Sequence, residues 1–292
     1  MLSASSTRTF NGSTLKSTVF LERRMRAHLV SRDRILYDSA YSPPAKKSSP
    51  YVHLFAQLRG TFEIAGGGVV TAPCAYVLAE NEFDRVEPGV TTFRSYGAPA
   101  EVLEIRLSAA DLKRPVGLAR GALALPAAVW DAYHELARSQ DEASLHALIA
   151  KLGEADIVSR DLTTSIVTTE PERYTRIWTT LKPFYNDLAM STSLKQIAVI
   201  AGLSLRQLGR DLGDFTRDFG LFGGGFRDAT RVLRLRAAVL FLSAPGGTPS
   251  EVAKAVGYGS LDAMGRAFRD AQLPAPSIVQ DAVRYPLADV SE

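Results

Sequence analysis

Two segments in the last third of this 292-residue chain share one pattern, a short turn with glycine and serine between two short apolar runs of helical spacing. The first turn is Gly202-Leu203-Ser204 and the second is Gly257-Tyr258-Gly259-Ser260. Glycine adopts the positive φ that ends one helix, and a serine hydroxyl accepts hydrogen bonds from the free N–H groups that begin the next. The pattern therefore predicts two helix-turn-helix units, over residues 194–212 and 250–268, whose second helices have the size that fits the major groove of DNA.

Composition and charge limit the class of protein. The length suits two domains, and 46% apolar with 22% charged residues is typical of an ordinary globular protein. Residues 194–242 contain eight basic and four acidic residues, an excess that suits phosphate contacts but also fits solvated helix faces. The single cysteine, Cys74, excludes a disulfide within the chain. With no apolar run of about 20 residues and no secretory signal, we expect a cytoplasmic protein without a membrane partner.

The first half of the chain changes from strand patterning to helix patterning. Residues 1–50 are polar and mixed, with ordered pieces expected at Phe20-Leu21 and His28-Leu29-Val30. From Tyr51 to Leu107, short apolar runs alternate with turn residues, which predicts an antiparallel sandwich or barrel. Apolar residues then recur every three or four positions, which predicts helices over 127–138 and 142–160.

The pattern of the second half is helical. A linker is expected at Thr163–Thr169, and Pro171 fits the first turn of the helix that follows. A longer helix is predicted over Phe226–Leu242, between the two helix-turn-helix units. These boundaries divide the chain into a first domain, residues 1–165, and a second, residues 171–286.

Three sets of motifs occur in order in this second domain. The first helix-turn-helix carries Ile197-Ala198, Ala201-Gly202-Leu203-Ser204 and Leu208-Gly209-Arg210; the long helix carries Arg234-Leu235, Ala238 and Leu242; the second unit carries Val252-Ala253, Val256-Gly257-Tyr258, Met264-Gly265-Arg266-Ala267-Phe268 and Pro276-Ser277. By these motifs, residues 174–285 resemble the AraC/XylS family of bacterial transcription regulators. The resemblance implies an α+β fold, with an N-terminal antiparallel β-barrel or sandwich of cupin-like type, dimerisation helices, and a C-terminal all-α domain with two helix-turn-helix units.

The resemblance also implies which side chains face DNA. The expected DNA-binding residues are, in the first unit, Ser204, Arg206, Gln207 and Arg210 and, in the second, Ser260, Asp262, Arg266 and Arg269. Arg206 suits a bidentate contact to guanine, and Gln207 suits a contact to adenine or phosphate. For Arg210 the alternative is an ion pair with Asp214 one turn later.

The second unit departs from the family pattern. Asp262 is tolerable opposite a cytosine amino group and unfavourable elsewhere, so Arg266 is the obvious DNA ligand there. Gln272-Leu273-Pro274 replaces the commoner turn of an aromatic residue and glycine, and the connection Gly213–Gly225 is longer than usual. The alternative function is therefore a degenerate regulator, whose weakened second unit leaves it to act mainly through protein partners.

Enzyme chemistry has little support in the sequence. The four histidines, at positions 28, 53, 134 and 146, include no pair with metal-ligand spacing, so we expect no metal and no other cofactor. His53 is expected to line or pack in the barrel interior, and His134 and His146 to lie on the surface. Some DNA-repair methyltransferases join a similar double hairpin to a reactive cysteine, but no basic residue adjoins Cys74, which favours a buried structural thiol.

A barrel of this size can enclose one small ligand. The expected ligand-binding residues lie on or beside its strands: Tyr51, His53, Phe55, Tyr76, Phe83, Arg85, Phe93 and Tyr96. Arg85 and Arg94 suit the carboxylate of an aliphatic or aromatic acid, and the alternative for both is ion pairing with neighbouring acidic residues. A slip of one residue in strand register would exchange the inward and outward sets.

The expected partners follow from these features. They are double-stranded DNA, a small-molecule effector and, if the protein is an activator, RNA polymerase. The apolar stripes of the helices at 127–138 and 142–160 favour a homodimer, with packing inside the domain as the alternative.

Overall fold

The computed structural model describes residues 1–42, 51–65, 68–79, 92–115, 117–164, 170–187, 193–219 and 226–284. The strands are β1 (Leu2–Phe10), β2 (Ser13–Leu21), β3 (Met25–Arg32), β4 (Tyr37–Asp38), β5 (Tyr51–Ile64), β6 (Gly68–Thr71), β7 (Cys74–Ala79) and β8 (Phe93–Ser108). The helices are α1 (Ala127–Ser139), α2 (Glu142–Glu154), α3 (Arg160–Thr164), α4 (Glu172–Asn186), α5 (Leu194–Ala201), α6 (Leu205–Asp218), α7 (Phe226–Leu242), α8 (Pro249–Ala255), α9 (Leu261–Asp270) and α10 (Pro276–Arg284). Strands followed by helices confirm the predicted α+β class.

The strands form one antiparallel sheet in the order β1-β2-β3-β8-β5-β6, with β4 paired to β8 and β7 paired to β5. The sheet is strongly curled, and the pairs among its described strands do not close it completely. The register of β5 against β8 shifts on both sides of Arg59, and bulges of this kind bend a strand. Gly60 has a φ of +88°, and a Cβ there would collide with the Tyr96 carbonyl oxygen, so the bend requires glycine.

Strands β1 to β4 lie in a region where the sequence predicted only two ordered pieces, so the expectation that strands begin at Tyr51 is wrong. Strand β1 is at the edge of the sheet, and its Leu2 and Ala4 are buried while Ser3 and Ser5 are exposed. The exposed positions of β1 are small polar residues, so its overall composition is polar. Buried and exposed residues nevertheless alternate along it, as in a half-buried strand.

Helices α1 and α2 cover the outer face of the sheet. In β5, Val52 and Leu54 pack against these helices, while Phe55 faces the opposite side of the sheet. Tyr133 of α1 and Leu148 of α2 are fully buried in this layer. The apolar stripes of α1 and α2 therefore pack inside the domain, which confirms the alternative interpretation. The homodimer stays a prediction.

The ends of these helices differ from the predicted ones. Helix α2 ends at Glu154, short of the expected residue 160, because the chain turns there and Asp156 adopts a positive φ of 53°. The expected linker begins inside α3, and residues 165–169 lie outside the described part of the chain. Among the described helices, none has the length and apolarity to cross a membrane.

Candidate nucleic-acid interface and cavity

Both predicted helix-turn-helix units are present. Gly202 ends α5 with a φ of 65°, and the Ser204 hydroxyl accepts from the backbone N–H of Gln207 at 3.2 Å. In the second unit, Gly257 has a φ of 83°, and the Ser260 hydroxyl accepts from Ala263 N at 3.1 Å. The two turns therefore use the same chemistry to end one helix and begin the next.

The second helix of each unit has one buried face and one exposed face. Leu208, Leu212 and Phe215 bury one side of α6, and Met264 and Phe268 bury one side of α9. All the predicted DNA-binding side chains are exposed: Ser204, Arg206, Gln207, Arg210, Ser260, Asp262, Arg266 and Arg269. Their geometry is thus that of a surface available to a groove, and their contacts to DNA stay a prediction.

The alternative role for Arg210 was an ion pair with Asp214, but Asp214 pairs with two other arginines. Its carboxylate lies 2.7 Å from Arg217 and 3.6 Å from Arg173 of α4. Arg210 is exposed on the face of α6 that also carries Arg206 and Gln207. This placement favours the DNA-facing interpretation of Arg210.

Two helices that flank the helix-turn-helix units, α4 and α7, contact the N-terminal sheet at different places. Trp178 of α4, which packs under the first unit, donates its indole N–H to the Ser3 carbonyl at 3.1 Å. At the end of α7, Arg32 of β3 donates to the Ser243 hydroxyl at 3.0 Å and to the Leu240 carbonyl. The sheet therefore helps to set the position of α6 relative to α9.

A cavity of about 190 Å³ lies where the sheet, the end of α4 and α7 meet. Most of its wall is apolar, with side chains such as Val19, Val102 and Leu240. The ionisable side chains in its lining, apart from tyrosines, are Arg8, Arg26, His28, Asp38, Glu104 and Arg236. An apolar space with several arginines suits a ligand that has an apolar body and an anionic group.

Glu104 is the centre of the buried charge in this cavity. Its carboxylate lies 2.7 Å from Arg26, 2.7 Å from the His53 ring and 4.0 Å from the His28 ring. Burial alone would raise the pKa of Glu104, but the Arg26 guanidinium and then His53, which is hydrogen-bonded to the carboxylate, hold it well below its usual range. Burial lowers the pKa of His28 to about 4, and nearby arginines act in the same direction, so the imidazole is neutral at pH 7.

The predicted ligand-binding residues are distributed between the cavity and the packed interior. Phe55 lines the cavity. Tyr76 and Phe93 pack against Phe62, with ring centroids 4.5 and 5.3 Å away, and Tyr96 is buried in the same cluster. Tyr51 lies under the Arg106 guanidinium at 3.6 Å. Phe83 and Arg85 lie outside the described residues.

The remaining single-residue expectations have clear outcomes. His53 is fully buried against Glu104, as expected for the interior. Arg94 pairs with the buried Asp38 at 2.8 Å, which confirms ion pairing as its role, although with a different partner from the neighbours expected. Cys74 is buried, and burial raises the pKa of its thiol to about 11, which confirms the structural interpretation.

Sequence reasoning missed the arginines of the cavity. Arg26, His28 and Val30 alternate along β3 on the side that lines the cavity, so a period of two was available as a signal. Arg236 lies on α7, and its approach to the sheet depends on how the helices dock. Local sequence patterns contain no information about that contact.

Comparisons with known proteins give distant similarities. No protein-family model matches the chain, and no curated protein matches it in sequence. A DNA-binding transcriptional dual regulator from Escherichia coli K-12 is similar over 40% of this chain and 96% of its own, at 20% identity and a TM-score of 0.31. ToxT from Vibrio cholerae is similar over 89% of this chain and 99% of its own, at 12% identity and a TM-score of 0.38. Similarities as distant as these do not bear on function.

Proposed function

We propose that the chain is a DNA-binding transcription regulator with a small organic acid as its effector. The observation that carries the proposal is the pair of helix-turn-helix units, each with an N-capped second helix and an exposed polar face. Arginines on both helices supply charge for phosphates and donors for base edges. Two such helices on one protein suit successive major grooves on one face of DNA, about 34 Å apart.

Selection of binding sites from random duplex DNA, followed by footprinting of the selected sequence, tests the two-groove mode. We expect a footprint that covers two successive major grooves and an affinity that falls steeply as the salt concentration rises. A footprint shorter than one helical turn, or binding with no sequence preference, would contradict it.

A regulator with one functional unit is the second candidate, and Asp262 is the observation that favours it. This carboxylate is exposed in the first turn of α9, where it suits the positive end of the helix but opposes DNA phosphates. If α9 lies on DNA, Asp262→Asn should raise the affinity for the selected site. If only α6 binds, the affinity should stay unchanged.

The cavity supports an organic acid as the effector. An apolar cavity of about 150 Å³ holds benzene, so the space here suits a small aromatic or short aliphatic body. The arginines of the lining would then face the carboxylate. An occupant would touch the sheet, α4 and α7, and these elements support both recognition helices.

Thermal unfolding with a series of small acids and their matched alcohols tests the effector. We expect some acids to raise the melting temperature and the alcohols of the same skeleton to have a smaller effect. Equal shifts for acids and alcohols, or no shift in the whole series, would remove the acid from the proposal.

A further inference from the structure

Three side chains from separate parts of the sequence meet at a place that is neither in the cavity lining nor on the recognition helices. Glu22 follows β2 directly, and its backbone N–H donates to the Met25 carbonyl in the turn before β3. Glu142 and His146 lie one turn apart on α2, so their side chains share a helix face. One ligand atom from each residue can be chosen so that all three lie within 4.8 Å of one another.

The atoms of this cluster are poorly satisfied by the protein itself. The side chain of Glu22 is 4% exposed, and its Oε1 is buried without a hydrogen-bond partner among the described residues. Nε2 of His146 is also buried without one, and lies 3.8 Å from Glu142 Oε1. A buried carboxylate oxygen without a hydrogen-bond donor depends on a nearby cation to offset the cost of its burial.

A positively charged group, the α-ammonium of Met1, already lies beside these carboxylates. The α-amino nitrogen of Met1 lies 3.7 Å from Glu22 Oε1 and 4.0 Å from Glu142 Oε1, so the ammonium group forms an ion pair with each carboxylate. The Glu170 carboxylate is also close enough to Glu22 to repel its charge. The cluster therefore has an excess of carboxylates around one ammonium group.

We propose that Glu22, Glu142 and His146 form a binding site for a divalent transition metal ion such as Zn²⁺. Carboxylate and imidazole ligands at about 2.0–2.2 Å from zinc lie about 3.4 Å from one another in a tetrahedron, so small rotations of these side chains close the site. The imidazole favours zinc and its neighbours over Mg²⁺ and Ca²⁺, which prefer oxygen ligands. Water takes the fourth position.

The ion would tie the β2–β3 turn to the start of α2. Binding is expected to raise the melting temperature of the protein, since the site requires the folded arrangement of two elements 120 residues apart. The site does not depend on DNA binding or on the effector.

Zinc titration of the full chain, after removal of bound metals with a chelator, tests the proposal. A fluorescent chelator in competition reports the affinity, and Co²⁺ absorption reports the geometry. We expect one high-affinity ion per chain, a tetrahedral Co²⁺ spectrum, and a zinc-dependent rise in melting temperature.

The variants His146→Gln and Glu142→Gln should weaken zinc binding at least tenfold and abolish the rise in melting temperature. Both side chains are partly exposed, so the variants should fold. His134→Gln on α1 and Glu154→Gln at the end of α2 are matched controls at exposed positions and should bind as the wild type does. Absence of zinc binding by the wild type, or equal binding by His146→Gln, would overturn the proposal.

Discussion

Arg206 and Arg266 occupy exposed positions on the two recognition helices, but we expect their removal to have different effects. Arg206→Ala should cost about 1–3 kcal/mol in DNA binding and relax the preference at one or two base pairs, because a bidentate contact to guanine is lost. Arg266→Ala, if it contacts phosphate, should weaken all sequences alike and reduce the dependence on salt. Affinities for the selected site and its single-base variants, at several salt concentrations, separate the two outcomes.

Gly209 and Gly265 are a second pair of equivalent residues, each five positions after the serine N-cap of its helix. A Cβ at either glycine meets nothing within 4 Å. Because glycine inside a helix costs about 1 kcal/mol relative to alanine, Gly209→Ala should raise the free energy of unfolding by up to about 1 kcal/mol. If α6 lies close against the groove, the same change should weaken DNA binding.

Urea unfolding and fluorescence anisotropy with labelled duplex measure the two effects of Gly209→Ala. Gly213→Ala is the matched control, because its Cβ also meets nothing and it lies one turn farther from the start of α6. It should stabilise the protein with a smaller effect on DNA. Wild-type affinity in Gly209→Ala would show that the helix does not approach DNA at this position.

The serine caps and the glycine turns were predictable from sequence because each acts through neighbouring backbone atoms. The partner of Arg94 was not, since Asp38 lies 56 residues away and meets it only through the pairing of β4 with β8. The ligand-binding residues were hard to predict for the same reason. The inward side of a strand can be inferred from its alternation, but whether Phe93 lines a cavity or packs on Phe62 depends on the curl of the whole sheet.

Among the elements, the end of α9 contains an unusual residue for its backbone. Gln272 has a φ of 58°, in the left-handed region that favours glycine. Gln272→Gly should therefore stabilise the protein by up to about 1 kcal/mol, the relief of strain being partly offset by the entropy of glycine in the unfolded chain. Ala271→Gly, at a φ of −93°, should instead destabilise it, and urea unfolding of both variants gives the comparison.

Helices were easier to predict than strands. Helix α7 has the predicted bounds, because its apolar spacing, the glycines before it and the proline after it all act locally. From Tyr51 onward the sequence predicted short runs separated by turn residues, yet β5 continues through the bend at Gly60 as one strand of 14 residues. Strand β1 owes its place to pairing with β2 and to the contact of Trp178, neither of which its own polar sequence indicates.

For the whole molecule, His28 links stability to pH. Its pKa is lowered to about 4 in the folded protein, so between pH 6.5 and 4 the unfolded chain binds the proton and the folded chain does not. This group therefore lowers the free energy of unfolding as the pH falls through that window. Glu104 adds to the loss below about pH 4.5, where its carboxylate becomes protonated in the unfolded chain first.

The comparison of wild type with His28→Gln isolates this contribution, because Glu22, whose pKa is raised, acts in the opposite direction in both proteins. Urea unfolding at pH 7, 5.5 and 4.5 should show the wild type losing stability relative to the variant. A constant difference between the two proteins across this range would contradict the assignment.

Arg32 joins the sheet to the end of α7, the helix that precedes the second helix-turn-helix unit. It is 2% exposed, and its guanidinium donates to Ser13, Ile35, Leu240 and Ser243. Arg32→Met keeps the apolar stem but removes a donor from each of these acceptors; the Leu240 carbonyl still accepts from Ser243, and each buried acceptor left with no donor costs about 1–3 kcal/mol. We therefore expect a large loss of stability, with faster hydrogen exchange at the end of α7. Arg59→Met, at an exposed position of β5, is the matched control and should change little.

If the sheet sets the spacing of α6 and α9, Arg32→Met should also weaken DNA binding, and the loss should be larger for the two-groove site than for a half-site. An equal loss on both sites would show that α7 alone fixes the spacing.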